Sequence, residues 1–170
     1  GHKRAYQELH RNDDIDTIYG KLVEPIEVTR ANGNSMIIDV INPFALLVLA
    51  AAIELEFFRL MQACMQESRG NMLHCILYHD GVKPGNDKRP GVGRSFVSFL
   101  WSFLELPQWM RHREKLRWFT LTYVPKAGMR DADIEIVNIA KQLLLRMFGN
   151  NDYDFEHTGI LLKHKHEELV

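Results

Sequence analysis

The chain is 170 residues long, 46% hydrophobic and 25% charged, with a formal net charge of −1 and a pI near 6.8. That length and composition suit one globular domain with its own core and exclude a fibrous, disordered or disulfide-stapled chain. The near-neutral balance excludes a global attraction to nucleic acid or to an anionic membrane, so any such partner must be met by a local patch.

Gly1-His2 reads as the cleavage scar of a tag, and residues 1–16 as a polar, flexible N-terminus. Residues 17–170 read as a single globular domain. Lys21 to Thr29 and Ser35 to Ile41 alternate apolar with polar residues around Arg30-Ala31-Asn32-Gly33-Asn34, and Asn-Gly is the strongest short-range signal for a β-hairpin. Asn42 then offers an N-cap and Pro43 a first helical residue, which predicts one long helix from Pro43 to about Glu67 with buried early turns. Its apolar stretch, Pro43 to Ile53, is too short for the ~20 residues of a membrane span.

Met72 to Asp80 is apolar on both faces, which predicts a strand in the middle of a sheet (72–80). The glycines and prolines from Gly81 to Gly93 forbid regular structure until about Arg94. The aromatic run from Ser95 to Leu106 reads as a second strand (95–106), although periodicity alone does not separate it from a helix. Gln108 to Leu116 reads as a short amphipathic turn or helix, and 117–124 as a third strand by its aromatic and β-branched content. Asp131 or Asp133 caps a helix over 131–148, with Ile134, Val137, Leu144 and Met147 on one stripe and Gly149 as a left-handed stop. A last strand covers 159–166. The fold class is therefore α/β, of the mixed α+β kind: a hairpin and a long helix, three antiparallel strands, a helix and a strand.

Charge is uneven along the chain. From Gly81 to Arg130 there are ten Lys and Arg against Asp87, Glu105 and Glu114, a net of +7, and the remainder carries −8. This is either a basic patch or a solvated loop surface. Cys64 and Cys75 sit in apolar runs without metal-ligand spacing, which points to a reducing, intracellular compartment.

Asp80 is the leading candidate for chemistry. A lone carboxylate at the end of a buried strand can hold a metal or act as a base, and the alternative is a turn residue before Gly81. Glu105 is the next acid if its strand lies beside that of Asp80; otherwise it is a rim charge before Pro107. Lys83, Lys88, Arg89 and Arg94 are candidates for contacting a nucleic-acid backbone, with Trp101, Trp109 or Trp118 as stacking faces where exposed and as core residues where not. His157, His164 and His166 include an i, i+2 pair that suits either a metal or an exposed strand end. Cys75 is not a nucleophile activated by histidine, because adjacent His74 points to the other face and His79 lies roughly 13 Å along an extended strand. The segment Gly85 to Gly91 lacks the spacing of a phosphate-binding loop, and no small-molecule substrate is expected.

The succession Thr17-Ile18-Tyr19-Gly20, Asn42-Pro43-Phe44-Ala45-Leu46-Leu47, Tyr78-His79-Asp80-Gly81-Val82-Lys83-Pro84-Gly85-Asn86 and Leu100-Trp101-Ser102-Phe103-Leu104-Glu105-Leu106 is similar to a transposon-derived family of repeat proteins of dinoflagellate-type genomes. These in turn resemble Asp-Asp-Glu transposases. The resemblance covers residues 17 to 162. It implies a ribonuclease-H-like half-core, DNA as partner and a nuclear location. It also implies Mg²⁺ or Mn²⁺ held by three carboxylates, for which hard oxygen ligands are the chemical requirement. Asp80 matches the first of those acids. The second follows the fourth strand, where Glu167 and Glu168 are the candidates in this chain. On this resemblance the chain is a fragment or decayed copy of a transposase or nuclease core, inactive by itself. The alternative is a non-catalytic module that binds nucleic acid or protein, and the aromatic content also allows a homodimer.

Overall fold

A computed structural model describes residues 15–70, 72–82, 95–107, 118–126, 129, 131–149, 152–165 and 167–169. In chain order the elements are β1 (Asp16–Thr17), β2 (Gly20–Lys21), β3 (Val23–Thr29), β4 (Ser35–Ile41), α1 (Pro43–Ile53), α2 (Leu55–Glu67), β5 (Cys75–Val82), β6 (Phe96–Phe103), β7 (Phe119–Pro125), α3 (Ala132–Phe148), β8 (Leu162–His164) and β9 (Glu167–Leu169). The architecture is mixed α/β, and the β1–β2, β5–β6–β7 and β8–β9 sheets are antiparallel. The chain clusters into two compact units, one of Gly1–Pro25, Asp39–Leu73 and Leu144–Val170, the other of Ile26–Ile38 and His74–Leu143. The expected turn or helix from Gln108 to Leu116 lies outside the described residues.

In the first unit Asn42 caps α1 as its sequence predicts. It is fully buried; its Oδ1 accepts from the N–H groups of Phe44 at 3.0 Å and Ala45 at 3.3 Å, and its Nδ2 donates to the Tyr19 carbonyl at 2.9 Å. Pro43 costs no hydrogen bond, since a first-turn N–H has no partner within the helix. Phe44, Ala45, Leu47 and Ala51 are buried, and each large apolar side chain so placed contributes about 1.5–3 kcal/mol.

The single helix expected from Pro43 to Glu67 is in fact two. Glu54 is extended between them (φ −110°, ψ 102°), with no glycine or proline to explain it. Its N–H still donates to the Ala50 carbonyl at 2.9 Å and its carbonyl still accepts from Phe58 at 3.0 Å. In a continuous helix the Ala51 carbonyl would accept from residue 55. Here buried His164 donates to it from Nδ1 at 2.9 Å, and the imidazole lies 6.0 Å from the Phe58 ring. The partner at the break comes from β8, which local sequence cannot announce.

Arg146 organises the rest of this unit's polar interior. Its Nε and Nη2 donate to the two oxygens of Glu24 at 2.6 and 3.2 Å, and its guanidinium carbon lies 4.9 Å from the Phe44 ring centre and 5.1 Å from that of Tyr153. Burial alone would lower its pKa, but the Glu24 carboxylate outweighs burial and raises it. Tyr153 donates its hydroxyl to the Tyr19 carbonyl at 2.5 Å, and the Tyr19 hydroxyl accepts from Leu161 N–H at 2.7 Å. Gly149 ends α3 without the left-handed conformation expected of it. The glycine is needed for space, because a β-carbon there would lie 2.1 Å from the Leu145 carbonyl oxygen. The strand expected over 159–166 is shorter, and β8 pairs with β9 with Lys163 and Glu168 in an ion pair at 2.6 Å.

The second unit holds the tip of the β3–β4 hairpin, turned as predicted. Arg30 N–H donates to Asn34 O at 2.7 Å, Gly33 N–H to Arg30 O at 3.0 Å, and Gly33 takes a φ of +83° that only glycine adopts cheaply. Its main body is the β5–β6–β7 sheet, with Cys75 opposite Phe103, Asp80 opposite Ser98, and Ser98 opposite Tyr123. The expectation that 72–80 forms the middle strand is corrected: β6 is central, and β5 is an edge of this sheet. The reason lies in where the apolar area is. β5 is exposed from Tyr78 to Gly81, whereas β6 buries Val97, Phe99, Trp101 and Phe103.

The first part of α3 belongs to this unit and is capped by Asp131, whose Oδ1 accepts from Ile134 N–H at 3.3 Å. The stripe expected on this helix is corrected too. Ile134, Val137 and Leu144 are exposed, at 48, 64 and 43%, while Glu135, Ile139, Leu143 and Met147 are buried. Apolar residues occur on both sides of the helix, and the buried side was hidden because it carries a carboxylate. Glu135 lies 3.7 Å from the Arg30 guanidinium, and Asn138 donates to the Thr29 carbonyl at 2.8 Å.

Candidate functional site

Side chains alternate along a strand, so the register sorts the β5–β6–β7 sheet into two faces. One carries Val97, Phe99, Trp101 and Phe103, all buried, and is core. The other carries Tyr78 and Asp80 from β5, Phe96, Ser98 and Leu100 from β6, and Thr120 and Tyr123 from β7. Trp118 joins this second face through its ring, 5.5 Å from that of Tyr78. At the other side Phe96 and Tyr123 meet edge to face at 5.3 Å, and the Tyr123 hydroxyl is 3.3 Å from Thr120 Oγ1. A register shift between Phe99 and Leu100 brings Thr120 rather than Leu121 opposite Leu100, which leaves Leu121 buried.

Asp80 sits exposed on this aromatic face. Its position is not a turn, since β5 continues through Gly81 to Val82; Ser98 Oγ donates to its backbone carbonyl at 3.3 Å. Among the described residues of the three strands, Asp80 is the one carboxylate on that face.

Glu105 does not join Asp80. Five register steps separate the Asp80–Ser98 pair from the Cys75–Phe103 pair, about 17 Å of strand, and Glu105 lies beyond Phe103. Its Oε2 accepts from His74 N–H at 2.9 Å and its Oε1 meets His74 Nδ1 at 2.5 Å. Burial works to raise the Glu105 carboxyl, but the hydrogen bonds from His74 outweigh it and hold the group below the usual range. The acid expected beside Asp80 is a clasp between the start of β5 and the end of β6.

Lys83, Lys88, Arg89 and Arg94 lie outside the described residues, as do Trp109 and the Gly85 to Gly91 segment. Trp101 is fully buried, a core residue. The described histidines do not gather as a ligand set. His164 is buried rather than an exposed strand end and donates to Ala51, His157 is bonded to Asp154, and the side chain of His166 lies outside the described residues. Glu168 is engaged by Lys163. Among the described residues no three His, Cys, Asp or Glu side chains are grouped to hold a metal ion. Cys75 is desolvated, which pushes its thiol up to about 12 and leaves it a poor nucleophile at neutral pH.

Sequence reasoning missed the aromatic face and the Asp154–His157 pair. A signal for the first was present, since Tyr78 and Asp80 alternate with Leu77 and His79, but it needed the pairing register to be read. Asp154 gave only its position three residues before His157.

Among the described residues no helix is long and apolar enough to cross a membrane. No protein-family model, curated protein or solved structure matches the chain.

Proposed function

We propose that the chain is a non-catalytic module that binds nucleic acid through its second unit. One observation carries this reading: formal charge is divided between the units, +4 on the one built around β5–β6–β7 and −5 on the other, which together give the −1 of the whole chain. Positive charge concentrated in one unit supplies the local attraction to a polyanion that the total charge does not. The isolation of Asp80 supports the same side. A two-ion nuclease holds its metals about 4 Å apart and needs several carboxylates converging on them, and the described face offers one. The test is retention of labelled DNA at low salt by the unmodified protein and by a variant with Lys88, Arg89 and Arg94 changed to Glu. Retention that disappears in the variant is expected, and no retention by the unmodified protein would end this reading.

The order of elements favours a second reading, of ancestry. Three antiparallel strands, a helix and a strand are how a ribonuclease-H-like core opens, and the exposed Asp80 on the first of those strands suits the first acid of a transposase. The described residues do not fit two Mg²⁺ or Mn²⁺ ions, so this reading is of a fragment or decayed copy that keeps one acid. The edge position of β5 counts against it, since the first strand of such a core is central. A calorimetric Mn²⁺ titration tests it: equal heats from the unmodified protein and Asp80→Asn would remove Asp80 as a ligand.

A further inference from the structure

We propose that the open face of the β5–β6–β7 sheet is a stacking platform for single-stranded nucleic acid, with Tyr78 and Tyr123 as the rings that receive bases. This rests on the nucleic-acid reading above and adds to it the form of the ligand, the face and the residues.

Tyr78 and Tyr123 are 45 and 56% exposed, large rings left in water on a sheet whose opposite face buries Val97, Phe99, Trp101 and Phe103. They stand on the two strands that flank β6, about 12 Å apart along a diagonal of the sheet, with Ser98 and Leu100 of the central strand between them. The small Ser98, itself buried, keeps that middle low, so a flat ligand can reach the flanking rings. Each ring is already braced. Tyr78 leans on Trp118 at an interplanar angle of 39°, and Tyr123 stands at 90° to Phe96 with its hydroxyl near Thr120. A ring held in place loses little rotamer freedom when a base settles on it, which lowers the entropic cost of binding.

The chemistry selects the occupant. Exposed aromatic faces beside positive charge suit a strand that offers both unpaired bases and phosphates. A duplex keeps its bases stacked on one another and presents no free base face to these tyrosines. The positive charge belongs to the same unit, and in sequence the two connections that join β5 to β6 and β6 to β7 are both basic: four Lys or Arg against Asp87 in one, four against Glu105 and Glu114 in the other. Asp80 lies beside Tyr78 on the edge strand β5, in the row of Ser98 and Tyr123, and repels phosphate from that edge, so the backbone of the bound strand keeps to the β7 side.

The experiment uses the full chain with fluorescent dT and rU oligonucleotides of about 15 nucleotides, a length within the site sizes of single-strand binders, and a duplex of equal length, all at low salt. Anisotropy should give tighter binding of dT or rU than of the duplex. Tyr78→Leu and Tyr123→Leu should each weaken single-strand binding about tenfold or more, while Tyr78→Phe and Tyr123→Phe, which keep the ring, should stay within about twofold. Circular dichroism and an unchanged unfolding midpoint check that the Leu variants fold. Should a Leu variant fail that check, the Phe variants with quenching of intrinsic fluorescence by dT or rU carry the test, and absence of quenching would overturn the proposal. Leu variants that fold and bind single strands like the unmodified protein would overturn it. Equal binding of duplex and single strand would overturn it too, yet leave the nucleic-acid reading standing; no binding of any oligonucleotide would remove both. Loss of self-association in the Leu variants, with oligonucleotide binding unchanged, would assign the face to a second copy of the chain instead.

Discussion

Asp154 carries the clearest pH dependence at the scale of single residues. The carboxylate is fully buried, yet Oδ1 accepts from the N–H groups of Glu156 at 3.0 Å and His157 at 2.6 Å, and Oδ2 meets His157 Nδ1 at 2.9 Å. Burial alone would raise this carboxyl; the bonds from His157 outweigh it and lower it to about 2. A folded-state pKa below the unfolded value means that the stabilisation is complete above about pH 4 and is lost as pH falls toward 2. Glu105, lowered by His74, acts in the same direction. Denaturation midpoints should therefore be flat from pH 7 to 5 and fall from pH 4 to 2, with a shallower fall in Asp154→Asn. Identical pH profiles for the two proteins would refute this. Asn42 is a second case, and a legible one, because Asn before Pro at the head of an apolar run names its own role. Asn42→Ala removes the acceptor for two buried N–H groups and the donor to Tyr19, and should cost about 2 kcal/mol in chemical denaturation. Asn42→Asp keeps the acceptor but not the donor and should fall between. Asp154 was not legible in the same way, since its partners sit in an irregular turn that has no periodicity to read.

Elements were legible where the signal is local and illegible where a distant segment decides. Asn32-Gly33 announced its hairpin, and the apolar and aromatic runs announced β5, β6 and β7. Which strand would be central depends on total area buried, and the Phe and Trp content of β6 outweighs the aliphatic start of β5. The buried stripe of α3 was misread because it includes Glu135, whose burial depends on Arg30 far off in the chain. The break at Glu54 belongs to the same class. Because a carbonyl has no proton, the bond to Ala51 O requires that His164 Nδ1 carry the hydrogen. His164→Ala leaves a buried acceptor without this donor and removes the ring beside Phe58, so it should destabilise the chain by about 1–3 kcal/mol. Hydrogen exchange should speed up first at the amides of residues 54–58. A variant as stable as the original, with unchanged exchange there, would mean that the break persists without its histidine.

At the scale of the whole molecule, total charge was uninformative and its distribution was not. A chain of net −1 has no reason to hold a polyanion at a distance, but +4 and −5 on separate compact units give the two units opposite preferences. Composition also counted the aromatic residues without saying which of them face water, because that depends on strand register. These two features, charge and exposed rings, make separable contributions to binding. Single-strand affinity falls with salt at a slope of roughly −0.7 per phosphate neutralised, so contact with three or four phosphates implies a slope of about −2 to −3 and a loss of about 15- to 60-fold between 50 and 200 mM salt. Stacking releases no counterions. Tyr78→Leu and Tyr123→Leu should therefore lower affinity by a similar factor at every salt concentration and leave the slope unchanged, whereas reversal of Lys88, Arg89 and Arg94 should flatten the slope. Affinity measured by anisotropy across that salt range decides between them: a tyrosine variant that flattens the slope would mean that the ring positions phosphates, and a charge reversal that leaves it unchanged would mean that those three side chains meet no backbone.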